Sequence, residues 1–186
     1  MSSELLINST RDKCRIGLLK DKKLVEFHQE NEETKFNVGD IYVGKVKKIN
    51  KSLNAAFIDI GFEKDAFLHY LDLGPQFLSL KTFVKEVRGK GKNTSIDSFK
   101  KLDEINKFGK INEVLTKGDE LMIQIVKEPI STKGPRVTTE LSMAGRHLIL
   151  VAFSDAINVS KKISNREERF RLINLIKSIR PSNFGV

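Results

Sequence analysis

Cysteine is scarce in this chain of 186 residues, which contains Cys14 and no other. One cysteine excludes an internal disulfide and a zinc cluster built from several thiolates. Long apolar runs are missing as well, since no stretch approaches the roughly 20 residues that a membrane-spanning helix needs. The beginning of the chain lacks the basic-then-apolar order of a signal peptide. These absences predict a cytoplasmic protein in a reducing environment, with no membrane partner.

The patterns that usually mark an active site are also missing. The histidines, His28, His69 and His147, are scattered and lack the spacing of metal ligands. The glycines of residues 89–95 lie in a small, polar and basic segment, which we interpret as a loop and not as a nucleotide cradle. No cluster of serine, cysteine or carboxylate resembles a catalytic constellation. We therefore expect no catalytic residue, metal site or cofactor within this chain.

Positive charge is what the sequence has in excess. The 33 Lys and Arg against 24 Asp and Glu give a net charge of +9 and a pI of about 9.6. Residues 1–39 are neutral overall, whereas residues 40–139 carry a net +5 and residues 140–186 a net +4. A basic surface attracts polyanions by counterion release, without reading their sequence. A solvated surface without a specific partner is the alternative that charge alone leaves open.

The clearest structural pattern lies in residues 40–69. Strand-like runs begin at Gly44, Ala55 and Ala66, with short polar turns between them. Three short strands at about ten-residue spacing predict a meander that closes into a small barrel. Residues 121–127 add a run of high β-propensity, and the last barrel strand follows the basic turn at residues 133–136.

Three regions follow from these patterns. Residues 1–37 predict a β ribbon, and residues 38–139 predict the barrel with a helical or loop insertion at residues 76–112. Residues 140–186 predict an α+β region. The predicted fold class is therefore mainly β with minor α.

Some local expectations are more specific. Helical turns are predicted at residues 77–87 and 98–108, and the barrel pattern is expected to resume at Ile111–Leu115. The run at residues 148–153 predicts a strand that pairs with residues 158–163. A helix capped at Ser164-Asn165 should follow, with Glu168 placed to complete a capping box.

Two aromatic residues and a set of cations are the candidates for binding. Phe57 alternates with the buried-looking Ile58, and Phe67 stands beside Leu68, so each lies either in the core or on an exposed face. On an exposed face, the two rings would form a platform on which bases stack. The cations near the same strands would then contact phosphates, unless they belong to a solvated face; they are Lys45, Lys127, Lys133 and Arg136.

Several segments together resemble the ribonuclease E/G family, and its ribonuclease G branch most closely. The resemblance covers nearly the whole chain outside the insertion at residues 76–112. The matching segments are residues 4–8, 37–46, 55–61, 66–69, 125–129, 132–139 and 141–150.

The resemblance implies an S1-type OB barrel that binds single-stranded RNA within an endoribonuclease of rRNA processing and mRNA decay. The family's RNA-contacting barrel aromatics fall on Phe57 and Phe67, and its barrel lysine falls on Lys133. Gly145 and Ile149 match part of the family's sensor for a 5′-monophosphate. Residues 140–186 would therefore be a partial 5′-sensor region.

Other parts of the family pattern are expected outside this chain. The resemblance implies a homo-oligomeric parent with Mg²⁺ at a downstream nuclease domain and Zn²⁺ between protomers. Residues 1–37 would belong to an incomplete RNase H-like subdomain, and the sensor's Arg-Thr pair is missing. We therefore expect this chain to bind RNA but not to cleave it alone.

Two other functions fit the same barrel pattern. A stand-alone RNA-binding module would lack a nuclease domain after Val186. A protein-interaction adaptor is the second alternative, because OB barrels also bind peptides. RNA binding with little salt dependence would favour the adaptor.

Overall fold

The structure, a computed structural model, describes residues 2–10, 13–31, 36–90 and 95–186. They fall into two units, Met1–Asn37 and Val38–Val186. Part of the loop predicted at residues 89–95 lies outside the described residues. No helix in the described ranges has the length and apolarity needed to cross a membrane.

The first unit contains the predicted β ribbon. Strands β1 (Ser3–Ser9), β2 (Lys13–Lys20) and β3 (Lys23–Asn31) form an antiparallel sheet in the order β1-β2-β3. Asp21 and Lys22, with φ of 48° and 64°, form the two-residue turn between β2 and β3. Positive φ at both positions gives the turn the twist that a tight hairpin needs.

The second unit contains a closed barrel of five strands, which confirms the predicted fold class. The order around the barrel is β4-β5-β6-β8-β7, and the pairing of β6 with β8 is parallel whereas the others are antiparallel. The barrel strands are β4 (Ile41–Asn50), β5 (Ala55–Asp59), β6 (Ala66–His69), β7 (Glu120–Lys127) and β8 (Arg136–Thr138).

Alternation along the strands fills the barrel interior. Val46, Ile58, Leu68, Ile123 and Val137 contribute one residue from each strand and are fully buried. Since side chains alternate between the two faces of a strand, their immediate neighbours point outward. The apolar interior thus fixes which residues of β5 and β6 reach the outer surface.

A long connection between β6 and β7 contains short helical elements. They are a 3-10 turn (Tyr70–Asp72), α1 (Phe77–Lys90), a second 3-10 turn (Ile96–Ser98) and α2 (Ile111–Val114). The helix predicted at residues 77–87 is confirmed by α1. The helical prediction for residues 98–108 is wrong beyond Ser98, because this segment runs irregularly and Ile105 donates its N–H to the Pro75 carbonyl at 3.0 Å.

The strand expected at Ile111–Leu115 is also wrong, since Ile111–Val114 forms α2. Ile111 and Leu115 are four residues apart, and both are fully buried. That spacing places both side chains on one face of a helical turn. In a five-residue segment the same two apolar residues also fit strand alternation, so packing decides between the two structures.

The end of the chain forms a second small sheet and a helix. Strands β9 (Ser142–Ala144), β10 (Ile149–Ala152) and β11 (Phe184–Gly185) pair antiparallel in the order β11-β10-β9. Helix α3 covers Arg166–Ile179, and the Asn165 side chain caps it by accepting from the Glu168 N–H at 3.0 Å. The Glu168 carboxylate pairs with Arg171 at 2.7 Å, so its side chain points along the helix.

The strand predicted at residues 148–153 is confirmed by β10, but its pairing with residues 158–163 is wrong. Both edges of β10 are occupied, by β9 and β11. The carbonyl groups of Val159, Ser160 and Ile163 accept hydrogen bonds from the Arg169 guanidinium, at 2.7–3.1 Å. These acceptors are therefore used by a side chain of α3 instead of a strand partner.

Within the second unit, helix α1 packs against the region around β10 through an aromatic cluster. Leu80 of α1 is buried together with Leu141 and Phe153. The rings of Phe83, Phe99 and Phe153 contact one another edge to face, with centroids 5.6 Å apart. Edge-to-face contacts between aromatic rings add stabilisation beyond that of burying their surface area, and they favour one relative orientation of the rings. The cluster holds the long connection firmly against β10.

An ion pair joins α1 to the turn before β7. Lys81 Nζ lies 2.6 Å from the Asp119 carboxylate and 3.0 Å from the Val114 carbonyl oxygen. The Thr116 N–H donates to the same carboxylate at 2.8 Å. Partial burial pushes the pKa of Asp119 upward, but the bonds from Lys81 and Thr116 outweigh burial and hold that pKa below its ordinary value.

We predict that Asp119→Asn lowers the free energy of unfolding at neutral pH by about 1.5–3 kcal/mol, the usual range for a hydrogen bond to a charged group. Because the folded-state pKa is depressed, the carboxylate stabilises the fold above about pH 4 and loses this contribution as pH falls through the folded pKa. Urea unfolding between pH 2 and pH 7 measures the difference. Glu120→Gln is the control, since its pair with Arg88 is exposed and should contribute at most about 1 kcal/mol. Parallel pH profiles for Asp119→Asn and the parent chain would contradict the prediction.

Candidate nucleic-acid interface

One groove of about 750 Å³ opens on the outer face of the barrel. Its floor comes from β5 and β6, and its walls come from the β4–β5 turn, the β5–β6 turn and the loop between β7 and β8. The lining residues are Lys47, Leu53, Phe57, Glu63, Lys64, Asp65, Phe67, Lys127, Glu128, Ile130, Thr132, Lys133, Gly134 and Arg136.

Phe57 and Phe67 form the aromatic floor of this groove. They are directly opposite each other in the β5–β6 pairing, and their ring centroids are 5.8 Å apart at an interplanar angle of 70°. Both side chains are half-buried, whereas their neighbours Ile58 and Leu68 are fully buried. The two strands therefore direct both rings to the groove side of the sheet and both aliphatic residues to the barrel interior.

Two lysines on the groove are unpaired. Lys127 ends β7 and Lys133 lies in the following loop; both are exposed, and neither makes an ion pair with any described residue. By contrast, Lys47 pairs with Asp65 at 2.9 Å, and this hydrogen bond raises the pKa of Lys47. An unpaired exposed ammonium group is available to an anionic ligand without breaking an existing contact.

Arg136 combines a place on the groove with a structural bond. Its guanidinium donates two hydrogen bonds, each of 2.9 Å, to the two carboxylate oxygens of Asp72. These bonds raise the pKa of Arg136 above its ordinary value. Bidentate pairing fixes the guanidinium plane as well as its position. Two of the guanidinium nitrogens of Arg136 are thus already bonded to Asp72 in the absence of a ligand.

The remaining predicted residues lie elsewhere. Lys45 is exposed on β4, opposite Asp59 of β5 in the strand register, and does not line the groove. Gly145 and Ile149 lie at the β9–β10 hairpin, where the Gly145 N–H donates to the Leu148 carbonyl at 2.8 Å. The structure thus brings five of the named residues to one groove and leaves these three outside it.

The sequence prediction missed two apolar residues of the groove. Leu53 and Ile130 are 52% and 68% exposed, although both belong to otherwise polar turns. A lone aliphatic residue in a polar turn is the signal that could have identified them. They extend the apolar surface beside the aromatic pair.

A close backbone approach positions the wall that carries Lys133. A Cβ atom added to Gly134 would lie 2.1 Å from the carbonyl oxygen of Asp65. Only glycine therefore permits the β7–β8 loop to approach the β5–β6 turn this closely. Both sides of this contact line the groove.

We predict that Gly134→Ala destabilises the protein by about 1–3 kcal/mol, the usual cost of forcing an extra carbon into a packed site. The backbone must shift, because the clashing atom belongs to the main chain of Asp65. Gly89→Ala is the control: a Cβ there meets nothing within 4 Å, and alanine favours the helix. Thermal unfolding of both variants and of the parent chain measures the effect. A Gly134→Ala protein that melts at the same temperature as the parent chain would contradict the prediction.

By architecture, the second unit belongs to the class of small closed β-barrels that present a groove on one face of the sheet. Residues 142–186 match the Ribonuclease E/G family. The chain is 35% identical to Ribonuclease G of Haemophilus influenzae over 174 residues, which are 94% of this chain and 32% of that protein. It is 34% identical to Ribonuclease G of Escherichia coli over 172 residues, 92% of this chain and 32% of that protein.

A relative outside the ribonuclease G group shows the same match. Ribonuclease E of Synechocystis is 37% identical over 150 residues, which are 80% of this chain and 18% of that protein. The chain belongs to the ribonuclease E/G family. It spans about a third of the length of the ribonuclease G relatives that it matches.

Proposed function

We propose that this chain binds single-stranded RNA in the barrel groove and positions it for the endoribonuclease of which it forms part. The observation that carries the proposal is the Phe57–Phe67 pair on the floor of a groove with two unpaired lysines at its edge. Aromatic rings stack with unpaired bases of any sequence, and lysines contact the phosphates between them. Both contacts suit a flexible single strand better than a closed duplex.

The position of the groove supports this function. In OB barrels, oligonucleotides bind on the face of the second and third strands, between the first and fourth connecting loops. Here these strands are β5 and β6, and the corresponding loops contain Leu53 and Lys133. An S1-type OB barrel therefore accounts for where the aromatic pair lies.

The wider role is proposed from the relatives. Their names identify them as ribonucleases, and we propose that the whole protein is an endoribonuclease that acts in rRNA processing and mRNA decay in the cytoplasm. Gly145 and Ile149 would contribute to a 5′-phosphate sensor, and the intact protein would be a homo-oligomer. The barrel's contribution is to hold the substrate in position, which lowers the entropic barrier to cleavage without breaking a bond itself.

Metal chemistry is not assigned to the residues of this chain. Among the described residues, no three of His, Cys, Asp or Glu are grouped so that they could hold a metal ion. We propose that other parts of the intact enzyme hold its Mg²⁺ and Zn²⁺.

A peptide-binding adaptor is the alternative, and the exposed Leu53 and Ile130 favour it. A peptide ligand would use the apolar walls of the groove more than its lysines. The two functions differ in salt dependence, because RNA binding releases counterions.

For the aromatic floor, we predict that Phe57→Ala or Phe67→Ala weakens binding of single-stranded RNA by about 1–3 kcal/mol, the contribution of one stacked base. Because both side chains are half-buried, the fold should lose less stability than in Phe77→Ala, whose fully buried ring should cost about 3–5 kcal/mol. Melting temperature and RNA affinity are measured on the same three variants. A Phe57→Ala protein as unstable as Phe77→Ala would assign the ring to the core.

For the edge of the groove, we predict that Lys133→Gln reduces the slope of log affinity against log salt by about 0.7, the value for one phosphate contact on a single strand. Sequence preference should not change, because a phosphate contact carries no base information. Lys177→Gln removes the same charge from α3 and serves as the control. Equal slopes of log affinity against log salt for the two variants would show that Lys133 does not contact the RNA.

For activity, we predict that this chain alone does not cleave a 5′-monophosphorylated single-stranded RNA in the presence of Mg²⁺. Metal-assisted hydrolysis needs a set of ligands that the described residues do not bring together. Gel analysis of the RNA over time measures cleavage, with EDTA as the metal-free control. Cleavage that requires Mg²⁺ and follows the protein through successive purification steps would contradict the prediction.

A further inference from the structure

Phe108 stands out among the described residues because it is 88% exposed. It lies in the irregular segment before α2, between the exposed Lys107 and the half-buried Gly109. An aromatic side chain left in water loses the free energy that its burial would provide. A ligand that covers the ring would recover this free energy.

The turn that carries Phe108 is held in place by hydrogen bonds. The Tyr70 hydroxyl donates to the Asn106 carbonyl at 2.5 Å, and the Gly109 N–H donates to the same oxygen at 3.1 Å. The Phe108 N–H donates to the Asn106 side chain at 2.9 Å. The backbone is thus fixed before binding, and fixing it in advance lowers the entropic cost of forming a contact.

This turn is fastened to the edge of the groove by a single side chain. Asn54 donates from Nδ2 to the Gly109 carbonyl at 3.1 Å and accepts at Oδ1 from the Ile111 N–H at 2.7 Å. Asn54 directly follows Leu53, which lines the groove. The Phe108 turn therefore adjoins the β4–β5 turn, beside one end of the aromatic floor.

The charges around Phe108 indicate the chemistry of its ligand. Lys51 in the β4–β5 turn, Lys107 and Lys110 are all exposed, and none makes an ion pair with a described residue. The carboxylates nearest along the chain are Glu104, four positions before Phe108, and Asp103 and Glu113, each five positions away. Glu104 accepts from the Gln76 amide at 3.4 Å, and Glu113 accepts from the Lys110 N–H at 3.2 Å. An exposed ring flanked in sequence by Lys107 and Lys110, which make no ion pair with a described residue, matches a ligand with flat bases and a phosphate backbone.

We propose that Phe108 is a third stacking platform, which extends the path of single-stranded RNA from the groove across the β4–β5 turn. This inference rests on the proposed RNA binding in the groove. Phe57 and Phe67 hold the first bases, and a strand long enough to cross the turn places a further base on Phe108. Lys107 and Lys110 contact the adjacent phosphates. The connection between β6 and β7 thereby lengthens the binding site of the barrel.

The absence of tryptophan from this chain makes a direct test available. Phe108→Trp introduces a single indole, whose emission is quenched when a base stacks on it. We use oligouridines of about 4 and about 16 nucleotides, the two ends of the range that one OB barrel covers. The longer RNA should quench the emission, and the shorter RNA should bind in the groove without quenching it.

Affinities provide the second readout. Phe108→Ala should lower the affinity for the longer RNA roughly 5- to 150-fold, which is the equivalent of one stacked base. The affinity for the shorter RNA should stay within about two-fold of the parent value. The melting temperature of Phe108→Ala should match that of the parent chain because the ring is exposed. Phe170→Ala removes another exposed phenylalanine, on α3, and should change neither affinity.

The outcomes separate this inference from the function on which it rests. If the parent chain binds neither RNA, the proposed function itself fails. If the parent chain binds both RNAs and Phe108→Ala binds the longer RNA as tightly as the parent, the proposal that Phe108 stacks on a base is wrong. The proposal that the groove binds RNA is then unaffected. Equal weakening of both RNAs would also overturn the inference, since the effect would then lie in the groove.

Discussion

The seam between β6 and β8 is the contact on which the barrel depends, because it closes the sheet into a ring. It is the one parallel pairing of the barrel, with Phe67 opposite Arg136. Side chains reinforce it: the Arg136 guanidinium binds the Asp72 carboxylate with two hydrogen bonds, and the Thr138 hydroxyl donates to the Asp72 carbonyl at 2.7 Å. The Thr139 N–H donates to that same carbonyl at 3.0 Å. One aspartate thus holds the strand that completes the barrel.

The same seam shapes the candidate binding surface. Phe67 lies on the β6 side of it and Arg136 on the β8 side, and both line the groove. Closing the barrel therefore also brings the β7–β8 loop, with Lys133, beside the aromatic pair. The stability of the barrel and the geometry of the groove are coupled here, because a change that opens the seam also separates the cations from the rings.

How far the sequence predicts this structure depends on the range of the interactions. The strands β4 to β6 were predictable, since alternation and turn residues act over a few positions. Residues 111–115 were not, because two buried residues four apart fit a strand or a helical turn equally well. The Asp72–Arg136 pair joins residues 64 positions apart, and no local sequence pattern predicts such a contact. For the same reason, the sequence could group Lys45 with the other cations, whereas the fold places it outside the groove.

The parallel seam also sets the order of events during folding. Loop closure across 64 residues costs more conformational entropy than the short hairpins on either side of it. The β4–β5–β6 meander can therefore form, and bring Phe57 and Phe67 together, while the chain still lacks a closed barrel. Until β8 arrives, β6 remains an open edge with unpaired backbone groups, the kind of edge to which other chains add. The length of the connection between β6 and β7 thus separates β6 from the strand that covers its edge, and this separation prolongs the exposure of that edge.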